Sequence, residues 1–290
     1  MILVAGATGL LGGEICRRLI NKGHAVRALV RETSDRTKRQ KLSDCGAATV
    51  TGDLKDQDSL LAACRGASAV ISTASSTISH QAGDSIETVD LQGQLKLVEA
   101  AKSNGIGRFI FVSSRHDPRI PSPLSDAKQA VERALLDLNH TIIQASYFME
   151  VWLSPMLGFD YPNARVRIYG SGEAKISWIS FLDVAEFCAA VLENRAAYRA
   201  TVELGGPEAL SPAQVVRIFE QSSGRQYEID HVPQEALEAQ ARAAASSLEK
   251  SFAALMLRLS RGDEIDMRSV LEKFPLQLSS VRDYARKVCG

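Results

Sequence analysis

The sequence predicts an α/β fold: a doubly wound parallel Rossmann sheet with a small, mainly helical C-terminal domain. Three observations predict it. The chain opens on an apolar run, Ile2 to Ala5, which leads directly into Gly6, Gly9 and Gly12 and a helical pattern over residues 11–19. Short apolar runs then alternate with helical patterns through the first half. After Tyr147 the rhythm changes, and from Ser211 onward the chain reads as mostly helical.

The opening segment is a strand, a glycine turn and a helix. Gly6 allows a tight turn, Gly9 lets the backbone approach a pyrophosphate, and Gly12 lets helix and strand pack closely. The phosphates would rest on the unpaired N–H groups of the new helix, beside Thr8, Leu10 and Leu11. Residues 25–30 read as a second strand, 48–51 as a third and 67–73 as a fourth. A helix over 86–103 precedes a fifth strand at 108–113, and a helix over 125–138 precedes a sixth at 141–145. Apolar strands separated by helices form a parallel sheet covered on both faces, with ligands at the strands' carboxyl ends. Further on, 166–179 reads as two short strands around Gly170-Ser171-Gly172, 183–192 as a helix, and 201–206 as a strand returning to the sheet. Ser211-Pro212 starts another helix, 233–259 is one long amphipathic stretch, and 278–288 closes the chain. The expected division is a dinucleotide-binding domain over 1–150, with 179–206 returning to it, and a substrate or cap domain made of 151–178 and 207–290.

Composition narrows the function. With 34 basic and 34 acidic residues among 290, the chain is neutral and offers no electrostatic case for nucleic acid or an anionic membrane as partner. No apolar run approaches membrane-spanning length, and the first strand begins at residue 2, leaving no room for a signal peptide. The five cysteines (Cys16, Cys45, Cys64, Cys188, Cys289) stand singly, without metal-ligand spacing. A reducing cytoplasm and no metal are the expectations, and a transit peptide removed ahead of residue 1 stays open. The helix at 233–259 suits a monomer or a homodimer equally.

The cofactor is read from the end of the second strand. NAD sites carry an acidic residue there for the ribose 2′-hydroxyl. This chain has Arg31, whose guanidinium matches a 2′-phosphate, so NADP(H) is expected. Glu32 would favour NAD if it faced the ribose instead. Ser34, Lys38, Thr33 and Lys41 add donors, unless this basic cluster is a solvated helix face. Gly52-Asp53-Leu54 ends the third strand, where a carboxylate can accept from the adenine amino group. Ser72-Thr73-Ala74-Ser75 ends the fourth, beside the nicotinamide ribose.

In order, V-A-G-A-T-G-L-L-G, L-V-R-E, T-G-D-L, I-S-T-A and F-I-F-V-S-S resemble the NmrA-like atypical short-chain dehydrogenase/reductases, over about the first 205 residues. That resemblance implies an NAD(P)-binding protein, either a reductase of the isoflavone reductase-like branch or a regulator without turnover. Residues 29–53 look most like the isoflavone reductase branch. Residues 123–149 and the tail around Arg261-Gly262-Asp263 resemble members linked to photosystem assembly.

Ordinary members of the superfamily carry Y-x-x-x-K, a tyrosine acid assisted by a lysine one helical turn away. Here Lys128 stands at the lysine position and Leu124 at the tyrosine's. The resemblance implies that Lys128 is itself the acid/base. The alternatives are that it bonds only the nicotinamide ribose, or is a plain helix lysine. Ser113 and Ser114 end the fifth strand, where the superfamily's active-site serine lies. Tyr147 and Phe148 are candidates to line the nicotinamide pocket, or are core. His116 is a possible acid, and His80 has no partner visible in sequence. Segments 149–159, 169–178 and 256–259, with Trp152, Phe159 and Trp178, would wall a pocket for a small apolar or aromatic substrate, or form core. Two functions are compatible with these features: an NADPH-dependent reductase of an enone-, quinone- or ether-type substrate, or a non-catalytic NADP(H)-binding redox sensor or assembly factor.

Overall fold

The computed structural model describes residues 1–79 and 81–290. Along the chain, β1 (Ile2–Ala5), α1 (Leu10–Asn21), β2 (Val26–Val30), α2 (Arg36–Asp44), β3 (Ala48–Thr51), α3 (Gln57–Cys64) and β4 (Ala69–Ser72) form the first half of the sheet and its crossovers. A π-helical stretch, Ile86–Gly93, runs into α4 (Gln94–Ser103), followed by β5 (Arg108–Ser114), α5 (Pro123–Ala134) and β6 (Asn139–Ala145). Next come α6 (Met149–Trp152), β7 (Phe159–Asp160), β8 (Arg165–Tyr169), α7 (Phe181–Val191) and β9 (Ala200–Leu204). The chain ends with α8 (Pro212–Ser223), β10 (Glu228–Val232), α9 (Gln234–Ala243), α10 (Ser247–Arg261), α11 (Arg268–Lys273) and α12 (Val281–Cys289).

Seven strands form one sheet in the order β3-β2-β1-β4-β5-β6-β9. The pairs β1–β2, β2–β3, β1–β4 and β4–β5 are parallel. Strand order reverses between β1 and β4, which opens a crevice at their carboxyl ends. The central strands are apolar on both faces because helices cover both: every residue of β1 and β4 is buried. Helix α1 turns Leu11, Ile15, Cys16 and Leu19 inward at helical spacing. The returning strand expected at 201–206 is β9, seated beside β6.

Two compact units result. One comprises Met1–Ser114, Pro123–Gln144 and Val184–Val202; the other comprises Arg115–Ser122, Ala145–Asp183 and Glu203–Gly290. The first has a core of Leu3, Val70, Leu97, Phe109, Phe111 and their neighbours. The second is built around Phe159, Trp178, Phe219 and Leu257. Among the described residues no helix is long and apolar enough to cross a membrane.

Three expectations need correction. The 233–259 stretch is two helices, because Ser246 starts a new one: its hydroxyl accepts from Glu249 N–H, and the Glu249 carboxylate accepts from Ser246 and Ala245 N–H. The second half of 166–179 is not a strand. Ile176 makes only isolated bridges, to Leu210 and Asp263. Finally, the region after Ser211 contains a strand, β10, parallel to β8 in a three-stranded sheet with β7. Its sequence, EIDHV, is exposed and polar, so it carries no apolar alternation. Registered ion pairs mark it instead: Glu228 with Arg165 at 3.0 Å and Asp230 with Arg167 at 3.4 Å.

One buried cation ties α7 to the sheet. Arg108, at the start of β5, donates to the carbonyls of Val191 (2.7 Å), Leu192 (3.0 Å) and Asn139 (3.0 Å) and to Thr141 Oγ1 (2.8 Å). Burial lowers its pKa to about 10, which leaves it charged at neutral pH. Arg108→Met strands those acceptors and is expected to cost about 3 kcal/mol. The urea midpoint should fall at constant slope; an unchanged midpoint would show that the arginine braces nothing.

Candidate functional site

The site is built at the β1–α1 turn. Gly6 lies at φ +83°, and a Cβ there would come within 2.7 Å of Ala74 N and Thr73 Oγ1. A Cβ on Gly12 would lie 2.2 Å from the Gly6 carbonyl oxygen. The turn is thus pressed between α1 and the end of β4, and the Gly9 N–H closes it by donating to Gly6 O at 2.9 Å. Gly9 is the N-cap of α1 and has no side chain to cap with, nor does the first turn hold an acidic residue. Its N–H groups therefore carry the helix's partial positive charge outward, a fit for phosphate. Thr8 stands in the turn, Leu10 is exposed on the first helical turn and Leu11 is buried beneath it.

Around this turn the strand ends are braced. Thr73 N donates to Ala5 O at 3.0 Å. Gln94 Nε2 donates to Ala74 O at 2.7 Å, and Ser72 Oγ donates to the same amide's Oε1 at 2.8 Å. Ser75 Oγ meets Thr77 Oγ1 at 3.2 Å. Asp53 keeps a partly exposed carboxylate that accepts from the Lys55 N–H at 2.9 Å. The Leu54 side chain is core and packs where a Cβ on Gly93 would be 2.8 Å away.

At the end of β2, Arg31 does not stand open. Its guanidinium donates to Asp84 Oδ2 at 2.6 Å, while Lys55 Nζ donates to Asp84 Oδ1 at 2.7 Å and the Ser79 hydroxyl also donates to Asp84. Burial opposes ionisation of Asp84, but the hydrogen bonds from Lys55, Ser79 and Arg31 outweigh it and hold the carboxyl at about 2. Ser34 Oγ accepts from the Arg31 N–H at 2.9 Å, and Thr33 Oγ1 donates to Gln81 at 2.7 Å. Lys38 and Lys41 are exposed on α2, whose buried residue is Leu42. Glu32 is exposed. His80 lies outside the described residues.

The second cluster surrounds Lys128 on α5. Its Nζ donates to Val112 O at 3.3 Å and sits 5.3 Å from the centre of the Phe111 ring. Burial pulls the lysine pKa down, and the charges of Asp90 and Glu132 oppose that pull. Asp90, on the π-helical stretch, accepts from Ser76 N–H (2.9 Å) and Ser76 Oγ (2.5 Å). Glu132 accepts from Ser113 Oγ at 2.5 Å and from Gln144 Nε2 at 3.1 Å. Ser114 is half-buried at the end of the same strand, and Leu124 is buried one turn before the lysine. Such a cluster can hold a proton in a partly desolvated place. Sequence reasoning missed Asp84, Asp90 and Glu132; only Glu132 had a local signal, four residues after Lys128 on one helix face.

Of the two roles open to the aromatic candidates, pocket wall or core, the second unit gives Tyr147, Phe159 and Trp178 the core one. Tyr147 is core there: its hydroxyl donates to Leu255 O at 2.9 Å, and its ring meets Trp152 edge-on at 4.9 Å. Burial raises its phenol pKa. Phe148 is half-buried and bridges Ile179 through its backbone. Trp152, Phe159, Tyr169, Trp178 and Leu259 line a cavity of about 20 Å³, room for one water. These segments therefore pack on one another. Nearby, Asp263 takes Arg115 at 2.8 Å and Arg258 at 2.6 Å, which straps 261–263 across Lys175 to Ser177. His116 is half-buried beside Asp117, whose carboxyl Arg119 holds at about 2.

Residues 1–276 match the NmrA-like family. Over 237 residues the chain is 32% identical to the photosystem II assembly factor Ycf39 of Synechocystis sp., covering 80% of this chain and 70% of that protein. Over 251 residues it is 32% identical to the bifunctional pinoresinol-lariciresinol reductase of Linum perenne, covering 80% and 78%. The NADPH-dependent quinone oxidoreductase of Escherichia coli, crystallised with NADPH, shares the fold over 100% of both chains, with a TM-score of 0.79 and 21% identity. The chain belongs to the NmrA-like family.

Proposed function

We propose that this chain binds NADP(H) and acts as an NADPH-dependent reductase on a small apolar enone-, quinone- or ether-type substrate. One observation carries the reading: an uncapped helix N-terminus pressed against the end of β4 by Gly6 and Gly12, in the same unit as a lysine held by Val112 O and flanked by two carboxylates. The N–H groups of Leu10, Leu11 and Gly12 bind the pyrophosphate, and Arg31 binds the 2′-phosphate. NADPH supplies the hydride when bound. Lys128 holds the proton at Nζ and delivers it to the substrate oxygen, with the charges of Asp90 and Glu132 opposing the lowering of its pKa by burial. The names of the Linum reductase and the Escherichia quinone oxidoreductase agree with this chemistry. A cytoplasmic setting, as monomer or homodimer, goes with the five free cysteines.

A second reading, an NADP(H)-binding assembly factor without turnover, is favoured by the buried Leu124 in the tyrosine's place and by the likeness to the Synechocystis assembly factor. There Lys128 bonds only the nicotinamide ribose.

Direct titration separates binding from its absence. NADPH should bind more tightly than NADH, and Arg31→Ala should remove that preference. A protein that binds neither would exclude both readings. Single-turnover oxidation of bound NADPH by an apolar quinone should slow by about 10² in Lys128→Met. An equal rate in that variant would dismiss the lysine as proton donor, and no oxidation by any acceptor would leave the assembly-factor reading.

A further inference from the structure

We propose that Asp84 is a resident counter-anion of the 2′-phosphate site, holding Arg31 until a phosphate displaces it and thereby setting the selectivity between NADP(H) and NAD(H). The inference rests on the proposed NADP(H) binding and adds a residue that such binding does not itself require.

The geometry is that of a filled anion site. Two cations, Arg31 and Lys55, reach one carboxylate from the ends of two adjacent strands, at 2.6 and 2.7 Å. The Asp84 side chain is only 2% exposed, whereas that of Arg31 is 29% exposed. Ser79 supplies a third donor to the same carboxylate, and Thr33 Oγ1 donates to Gln81 Oε1. Asp53 is a further carboxylate at this edge, its Oδ2 3.8 Å from Lys55 Nζ, and Glu32 is exposed beside Arg31.

Charge decides which anion the site prefers. Asp84 and Asp53 together balance Arg31 and Lys55, and a phosphate near −2 charge attracts the Arg31 guanidinium more strongly than the single charge of the Asp84 carboxylate does. Asp84 holds Nη1 of Arg31, so a phosphate that grips the guanidinium with two parallel hydrogen bonds competes with the carboxylate for that nitrogen. NADP(H) must therefore open the Arg31–Asp84 pair. A 2′-hydroxyl, which is neutral, need not. The phosphate's advantage is reduced by what the pair is worth, so Asp84 lowers the preference that Arg31 creates.

The test is a double-mutant cycle on the full chain, with affinities for NADPH and NADH measured for wild type, Asp84→Asn, Arg31→Ala and the double variant. Asp84→Asn should raise the NADPH-to-NADH affinity ratio by about tenfold or more, and the gain should vanish in the Arg31→Ala background. An unchanged or lower ratio in Asp84→Asn, with wild type still preferring NADPH, overturns the counter-anion and leaves the NADP(H) reading standing. No preference in either wild type or Asp84→Asn overturns both. A wild-type measurement guards against misfolding of the variant: the carboxyl carbon resonance of Asp84 should shift on adding NADPH and stay still on adding NADH. Equal behaviour with the two cofactors contradicts the proposal.

Discussion

A methyl group on Gly12 would lie 2.2 Å from the carbonyl oxygen of Gly6, and the close approach that forbids it governs the whole carboxyl edge of the sheet. It draws the start of α1 down onto the end of β1. Gly6 then meets Thr73 and Ala74, which locks the same turn to the end of β4. Since β1 and β4 are the strands between which the order reverses, the uncapped N-terminus of α1 stands at the crevice where open α/β sheets bind ligands. Side-chain bulk at either glycine would force helix and strand apart and move the N–H groups away from that place.

Around this backbone contact, charge is handled by pairing. Arg31 and Lys55 converge on Asp84, Lys128 lies in the field of Asp90 and Glu132, and in the second unit Arg115 and Arg258 converge on Asp263. Each arrangement answers the cost of removing an ion from water by giving it a specific partner. The consequences differ. Asp263 is a brace, with both oxygens engaged by arginines and its backbone tied to Lys175 and Ser177. The Lys128 cluster balances opposed effects, burial removing the proton and the carboxylates retaining it, which is the condition for a group that must release a proton and regain it.

Much of the sheet was legible in the sequence because its strands are buried on both faces and therefore read as short apolar runs between turns. The glycine triplet was legible because a strand and a helix flank it. What was hidden depends on partners far along the chain. Nothing local links Arg31 to Asp84, 53 residues away, and nothing marks Asp90 as a neighbour of Lys128 before the π-helical stretch and α5 are packed together. β10 escaped because ion pairs with β8, rather than alternating apolar residues, hold it. The break between α9 and α10 was written in Ser246 and Glu249, but continuous apolar periodicity on both sides obscured it. By its position after β6, Tyr147 suited a pocket wall or the core equally. Only the packed structure reveals that Leu255 has taken its hydroxyl.

The central claim is that the β1–α1 turn is where the dinucleotide's pyrophosphate sits. The most direct measurement is an amide-resonance titration of the isotope-labelled chain with NADPH. The account predicts the largest shifts at the N–H groups of Gly9, Leu10, Leu11 and Gly12, saturating together with those of Thr73 and Ala74. Binding that leaves these amides unmoved while shifting residues elsewhere would contradict it.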